Sequence, residues 1–250
     1  MKKLVLSCVL AVSMLAAPVM ASDTIRFGTE GAYAPYNYVD DSGKLAGYEI
    51  DLGNALCKQA GLTCEWVVNE WDSIIPNLIA GNYDGIMAGM SVTDERKKTI
   101  NFSDEYYPVA LSLYAAAAGN KIDLAALKGK KIGVQGATIQ AGFAEKNYAA
   151  NNTILSFETF DQSVADLMAG NIDILLADGD PLIPVVEGSK GALVFLGDGV
   201  RIGGGNAIGL RKKDVELAKT LNSALAALKK DGTVDKLIKK YFDNGPFYSN

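Results

Sequence analysis

The chain has 250 residues, 24 of them basic, 29 acidic and none histidine, for a formal charge of −5. An acidic balance argues against nucleic acid or anionic lipid as partner, and the lack of histidine and of any Cys-x-x-Cys pair argues against a zinc site. Composition is that of an ordinary globular protein, and the length allows one or two domains with their own cores.

The first residues read as an export signal over 1–21. Lys2 and Lys3 give a positive start, Leu4 to Ala17 is an apolar run, and Val19-Met20-Ala21 offers small residues for cleavage. The run is too short to span a bilayer and ends at Pro18, and Cys8 lies inside it rather than at its end, so neither a membrane anchor nor a lipid anchor is expected. A mature chain starting near Ser22 carries 22 basic and 29 acidic residues, net −7. Export places Cys57 and Cys64 in an oxidising compartment. A disulfide between them closes a short loop from a helix end to a strand start, stabilising by about 2–3 kcal/mol; a redox or metal pair is the alternative.

The elements then alternate. Ile25 and Phe27 mark a strand, Tyr48 to Ala60 an amphipathic helix, Glu65 to Val68 a strand, and Ser73 to Ala80 a helix with Pro76 in its first turn. Tyr83 to Met87 reads as a buried strand. After Ala110 the pattern restarts with a strand at Lys131 to Val134, helices at Ile139 to Tyr148 and Gln162 to Ala169, and a strand at Ile172 to Leu176. Two amphipathic helices, Val215 to Lys229 and Val234 to Phe242, close the chain and should pack on the core formed by the first half. This is α/β grammar.

The second half echoes the first. Trp71-Asp72-Ser73-Ile74-Ile75-Pro76-Asn77-Leu78-Ile79-Ala80-Gly81-Asn82-Tyr83-Asp84 aligns with the run from Phe160 to Asp173, each read as an N-cap Asp, a helix, a closing Gly and an Asp opening a strand. Phe27 to Ala32 likewise parallels Ile132 to Ala137. Ligands in open α/β sheets bind beyond the carboxyl ends of the strands. Those ends carry Glu30, Ala88-Gly89, Gln135-Gly136-Ala137-Thr138 and Asp178. Two such faces opposed make a cleft suited to a hinged clamp.

Gly47-Tyr48-Glu49-Ile50-Asp51-Leu52, Trp71 to Leu78, Ser91-Val92-Thr93-Asp94-Glu95-Arg96, Asn101-Phe102-Ser103, Gly133 to Thr138 and Asp231-Gly232-Thr233 with Lys240-Tyr241-Phe242 together resemble the periplasmic polar-amino-acid-binding proteins of ABC importers. The likeness runs in order through the whole mature chain and is nearest to the lysine/arginine/ornithine-binding and opine-binding branches, whose cysteine pair Cys57 and Cys64 resemble. It implies a type II periplasmic-binding-protein fold, α/β and two-lobed. Lobe 1 would comprise 22–108 plus 205–250 and lobe 2 112–202, with a two-segment hinge near 108–111 and 203–206. Gly203-Gly204-Gly205 fits a hinge independently, because glycine absorbs backbone changes at little steric cost.

The resemblance also assigns a ligand site. Arg96 would hold the α-carboxylate with paired guanidinium donors, helped by Ser91 and by the helix start at Thr138; capping is the competing role of both. Asp178 would take the α-ammonium, with a helix N-cap as its alternative. Glu30 would select a cationic side chain, and Tyr33 and Trp71 would sandwich it. Gln135 and Gln140 match further contact positions. Ala88 and Gly89 replace serines of the lysine/arginine/ornithine binders, leaving backbone groups there, while Trp71, Glu30 and Met90 resemble the opine branch. The expected ligand is arginine, then lysine and ornithine, with opines and other polar amino acids behind. No catalytic residue, metal or cofactor is expected; an enzyme of dehydratase type on the same fold is the rival, but it lacks a histidine base. The expected partners are the amino acid and an inner-membrane ABC permease, with no nucleic acid, for a periplasmic monomer.

Overall fold

The computed structural model describes residues 24–248, and the export signal expected over 1–21 lies outside them. The chain opens with β1 (Thr24–Thr29), a small sheet of β2 (Ala32–Tyr33), β3 (Asn37–Val39) and β4 (Leu45–Ala46), then α1 (Tyr48–Ala60), β5 (Thr63–Val68), α2 (Ile74–Ala80) and β6 (Gly85–Ile86). It continues through α3 (Asp94–Thr99), β7 (Asn101–Tyr107), β8 (Leu111–Ala117), β9 (Lys131–Gln135), α4 (Ile139–Tyr148), β10 (Thr153–Phe157), α5 (Phe160–Met168) and β11 (Ile174–Asp178). Last come α6 (Gly179–Gly188), β12 (Leu193–Arg201), β13 (Asn206–Leu210), α7 (Val215–Lys230) and α8 (Thr233–Phe242).

Two five-stranded sheets result, in the orders β5-β1-β6-β13-β7 and β10-β9-β11-β8-β12. In the first, β1 runs parallel to β5 and β6, and β13 lies antiparallel to β6 and β7. In the second, β9 runs parallel to β10 and β11, and β8 lies antiparallel to β11 and β12. The units β1-α1-β5-α2-β6 and β9-α4-β10-α5-β11 therefore share one strand order, as the internal echo anticipates. The parallel strands are covered on both faces, so Phe27, Ile132, Val134, Ile174, Leu175 and Leu176 are all fully buried.

Local chemistry sets the element ends. The α1 helix buries Tyr48, Leu52 and Leu56 on one stripe and stops at Gly61 in the left-handed region. Gly53 admits no side chain, because a Cβ there would stand 2.6 Å from the Trp66 ring. The Cys57–Cys64 disulfide joins the last turn of α1 to β5. The tail helices cover the first sheet, burying Leu221, Leu225, Leu228, Val234 and Ile238.

The expectation of aspartate N-caps is corrected. Asp72 lies in the 3-10 turn Trp71–Ser73, and the position before α2 is Ser73, with no side-chain cap bond. At α5 the cap is Thr159, whose hydroxyl accepts from Gln162 N, while Asp161 sits in the first turn. Both acids remain where the helix dipole favours them. The strand expected over Tyr83 to Met87 narrows to β6, since Asp84 turns its carboxylate to Arg26 and Arg211.

The chain passes between the sheets twice, over 108–110 and 202–205. Of the three glycines in the second passage only Gly203 has a positive φ, +71°. Gly205 is required by close approach instead, because a Cβ would stand 2.4 Å from the Tyr107 carbonyl.

Candidate functional site

Strands β1 and β6 of the first sheet and β9 and β11 of the second end at one narrow cavity of about 20 Å³. All eleven ligand residues expected from the sequence line it, from Glu30 and Tyr33 on one side to Gln140 and Asp178 on the other, together with Ile139.

Glu30 follows β1 and is 7% exposed. Its carboxylate accepts from Gln135 Nε2 at 2.7 Å, and the same amide donates to the Glu158 carbonyl at 3.1 Å. Burial pushes the Glu30 pKa up to about 7; the Gln135 hydrogen bond opposes this, and the like charges of Asp161, Glu49 and Asp72 add to it. This acid is held at a site that rewards an incoming cation.

Arg96 is aimed by α3, whose cap residue Thr93 accepts from the Arg96 amide at 3.1 Å. Its guanidinium donates to the Ser91 carbonyl at 2.9 Å and the Ala137 carbonyl at 3.3 Å, and lies 5.2 Å over the Trp71 ring. Among the described residues it has no ion pair. Burial pulls its pKa down to about 10, with Asp178 pulling the other way. Carbonyls and a π-face leave its charge uncompensated, so the geometry can accept a carboxylate.

Asp178 ends β11 and occupies the cap position of α6, yet its side chain makes no cap bond there. Instead it accepts from Tyr33 Oη at 2.7 Å and Gln140 Nε2 at 2.6 Å. Burial raises its pKa to about 6, against the Tyr33 bond, with Asp180 adding to the rise and Gln140 and Arg96 opposing it. Thr138 does cap α4, its hydroxyl accepting from Ala141 N at 3.1 Å and donating to the Gln135 carbonyl at 2.7 Å. Ser91 Oγ faces Asn206 Oδ1 at 3.4 Å.

Not every backbone group at Ala88 and Gly89 is left to a ligand. The Gly89 N–H donates to Glu49 Oε1 at 2.7 Å, and the Gly89 φ of +63° with Tyr33 packed above it disfavours any side chain. A trans peptide then turns the Ala88 carbonyl the opposite way. Glu49 is fully buried, accepts also from Asn37 Nδ2 at 2.7 Å and from Tyr106, and through Asn37 reaches the Gly31 N–H at 2.7 Å. It thus ties the turn after Glu30 to the turn at Gly89. Sequence reasoning placed Glu49 only in a motif; its signal was an acid beside the apolar stripe of α1. Tyr36 and Asp180, which bond at 2.6 Å just outside the cavity, gave no signal at all.

Residues 25–244 match the family model described as bacterial extracellular solute-binding proteins, family 3. The chain is 38% identical over 261 residues to the lysine/arginine/ornithine-binding periplasmic protein of Escherichia coli K12, spanning 97% of this chain and 98% of that protein. It is 36% identical over 260 residues to the L-arginine-binding protein of Pseudomonas aeruginosa, spanning all of both. Among solved structures it resembles a periplasmic His/Glu/Gln/Arg/opine family-binding protein from Silicibacter pomeroyi in complex with lysine, with a TM-score of 0.82 and 47% identity over 89% of this chain and all of that one. A matched family model over nearly the whole described chain, and relatives that are binding proteins end to end, place it: the chain belongs to the bacterial extracellular solute-binding proteins, family 3.

Proposed function

We propose that the protein captures a cationic amino acid, arginine before lysine and ornithine, in the cavity between its two sheets and delivers it to an ABC permease of the inner membrane. The observation that carries this reading is the charge pattern of one site: an unpaired guanidinium, Arg96, with the half-buried Asp178 carboxylate and the buried acid Glu30. The Arg96 fork suits an α-carboxylate, Asp178 suits the α-ammonium, and Glu30 suits a guanidinium or side-chain ammonium. Trp71 and Tyr33 supply apolar and π surface to the aliphatic stem.

In this reading the sheets belong to lobes hinged at the two chain passages. Glu30, Tyr33, Trp71, Ser91 and Arg96 engage the ligand first, and Thr138, Gln140 and Asp178 then close over it. Closure is driven by the ligand's greater affinity for the closed form. The assignment to binding rather than catalysis is supported by the relatives, which are binding proteins. A periplasmic location and a permease partner accord with the family.

Calorimetric titration with arginine, lysine, ornithine, histidine, glutamine and octopine tests the ligand class. Tight binding of arginine, with lysine and ornithine next, is expected. Tight binding of glutamine with no heat from arginine would refute it.

A further inference from the structure

Two hydrogen bonds join the β2–β3 turn of the first lobe to the start of α6 in the second. Tyr33 Oη donates to Asp178 at 2.7 Å, and Tyr36 Oη donates to Asp180 at 2.6 Å. The tyrosine rings stack at 5.7 Å between centroids, and the two acids bracket Gly179. The pairs differ in one respect: Tyr33 and Asp178 line the cavity, whereas Tyr36 and Asp180 do not. A ligand ammonium can replace Tyr33 as partner of Asp178, but no ligand in the cavity reaches the outer pair.

We infer that Tyr36 and Asp180 are positioning residues for ligand binding: their hydrogen bond is an outer latch that sets how completely the cleft closes, and so scales the affinity for every ligand while touching none. Both halves of this latch are held rigidly. Tyr36 is 1% exposed and is packed by Tyr107 at 5.5 Å and Phe242 at 4.9 Å, between ring centroids. Asp180 stands in the first turn of the ten-residue helix α6, where the helix dipole favours an anion, and the Tyr107 hydroxyl, at the end of β7 on the same side as Tyr36, reaches the same carboxylate as a second arm of the latch. The chain at Gly179 is pressed against the start of β8, so closely that a Cβ would stand 2.8 Å from the Leu111 carbonyl. Tyr107 and Leu111 flank the first passage between the lobes. Opening the cleft moves one half of the latch away from the other, and a hydrogen bond to a carboxylate resists that separation more strongly than a neutral one.

The inference rests on the clamp reading, and its consequence is arithmetical. The apparent Kd equals the intrinsic Kd divided by the fraction of molecules able to close. If the latch makes closure tenfold more favourable, its removal raises every Kd by about tenfold.

The test compares the wild type with Tyr36→Phe, Asp180→Asn and the double variant of the full mature chain, titrated with arginine, lysine, ornithine, histidine and glutamine. Asp180→Asn is expected to raise the Kd of every amino acid that the wild type binds by a common factor of about tenfold, Tyr36→Phe by a smaller common factor because the Tyr107 arm remains, and both should speed dissociation in stopped-flow measurements. The double variant should be no weaker than Asp180→Asn alone, because that change already removes the acceptor that Tyr36 and Tyr107 share. The melting temperature of the unliganded protein should hold, which separates a latch from a merely structural contact. Unchanged Kd values, a factor that differs among ligands, or additive effects in the double variant would overturn the latch. A wild type that prefers glutamine would contradict the cationic-ligand proposal while leaving the latch factor readable on glutamine.

Discussion

A carboxylate is an expensive group to place where Glu30 stands, nearly out of water with no cation beside it. Only the Gln135 amide offsets that cost, and a ligand cation offsets it far better. Glu30→Gln keeps the shape and removes the charge, so it should weaken arginine and lysine by about tenfold, roughly 1.4 kcal/mol, while leaving glutamine nearly unaffected. Arg96→Ala should instead weaken every α-amino acid by roughly 30–100-fold, since the proposed role of that group is to meet the part they share. Titration of both variants with arginine and glutamine checks the contrast; equal losses for both ligands in Glu30→Gln would deny it a selective role. Proton linkage has a definite sign here. Burial raises the pKa of Glu30 to about 7 and that of Asp178 to about 6, both above the ordinary carboxylate range. A bound cation favours the ionised form, so proton and ligand compete. Arginine affinity should therefore rise with pH up to about 7 and level off beyond it, with the Glu30 share of the rise lost in Glu30→Gln. Calorimetry in buffers of different ionisation heat measures the protons released.

Among the elements, those bounded by distinctive chemistry were legible in the sequence. The helices α1 and α4 begin and end where periodicity, Gly61 and Thr138 place them. The antiparallel strands were not. The run Leu111–Ala117, Leu-Ser-Leu-Tyr-Ala-Ala-Ala, alternates poorly and pairs with β11 and β12, both far along the chain. The strand β12 carries Gly197 and Gly199 and a register shift, so no regular pattern survives. The cap expectation at Asp72 and Asp161 failed because Ser73 and Thr159 hold the boundary positions, leaving Asp72 one residue before Ser73 and Asp161 two residues after Thr159. The Cys57–Cys64 disulfide closes a short loop remote from the cavity. Replacing both cysteines with serine should cost about 2–3 kcal/mol of stability in denaturant titration and leave arginine affinity unchanged. A loss of affinity without a loss of stability would mean that the bridge shapes the site.

For the whole molecule, the shared strand order of the two units, together with the family resemblance, explains why the cavity could be drawn from sequence. Two β-α-β-α-β units of one strand order set strand ends at one cavity, so Glu30 and Gly89 of one unit line it with Gln135 and Asp178 of the other. Short motifs at those strand ends revealed the polar lining. The contacts that depend on how the copies meet, such as Tyr36 with Asp180, were invisible, because nothing in Asp178-Gly179-Asp180-Pro181 distinguishes a latch from a turn. The central claim is that three fixed charges read one zwitterion with a positive tail. A crystal structure of the protein with arginine tests this most directly. The account predicts the α-carboxylate on Arg96, the α-ammonium on Asp178 and the guanidinium at Glu30; arginine reversed, with its guanidinium on Asp178, or bound outside this cavity, would contradict it.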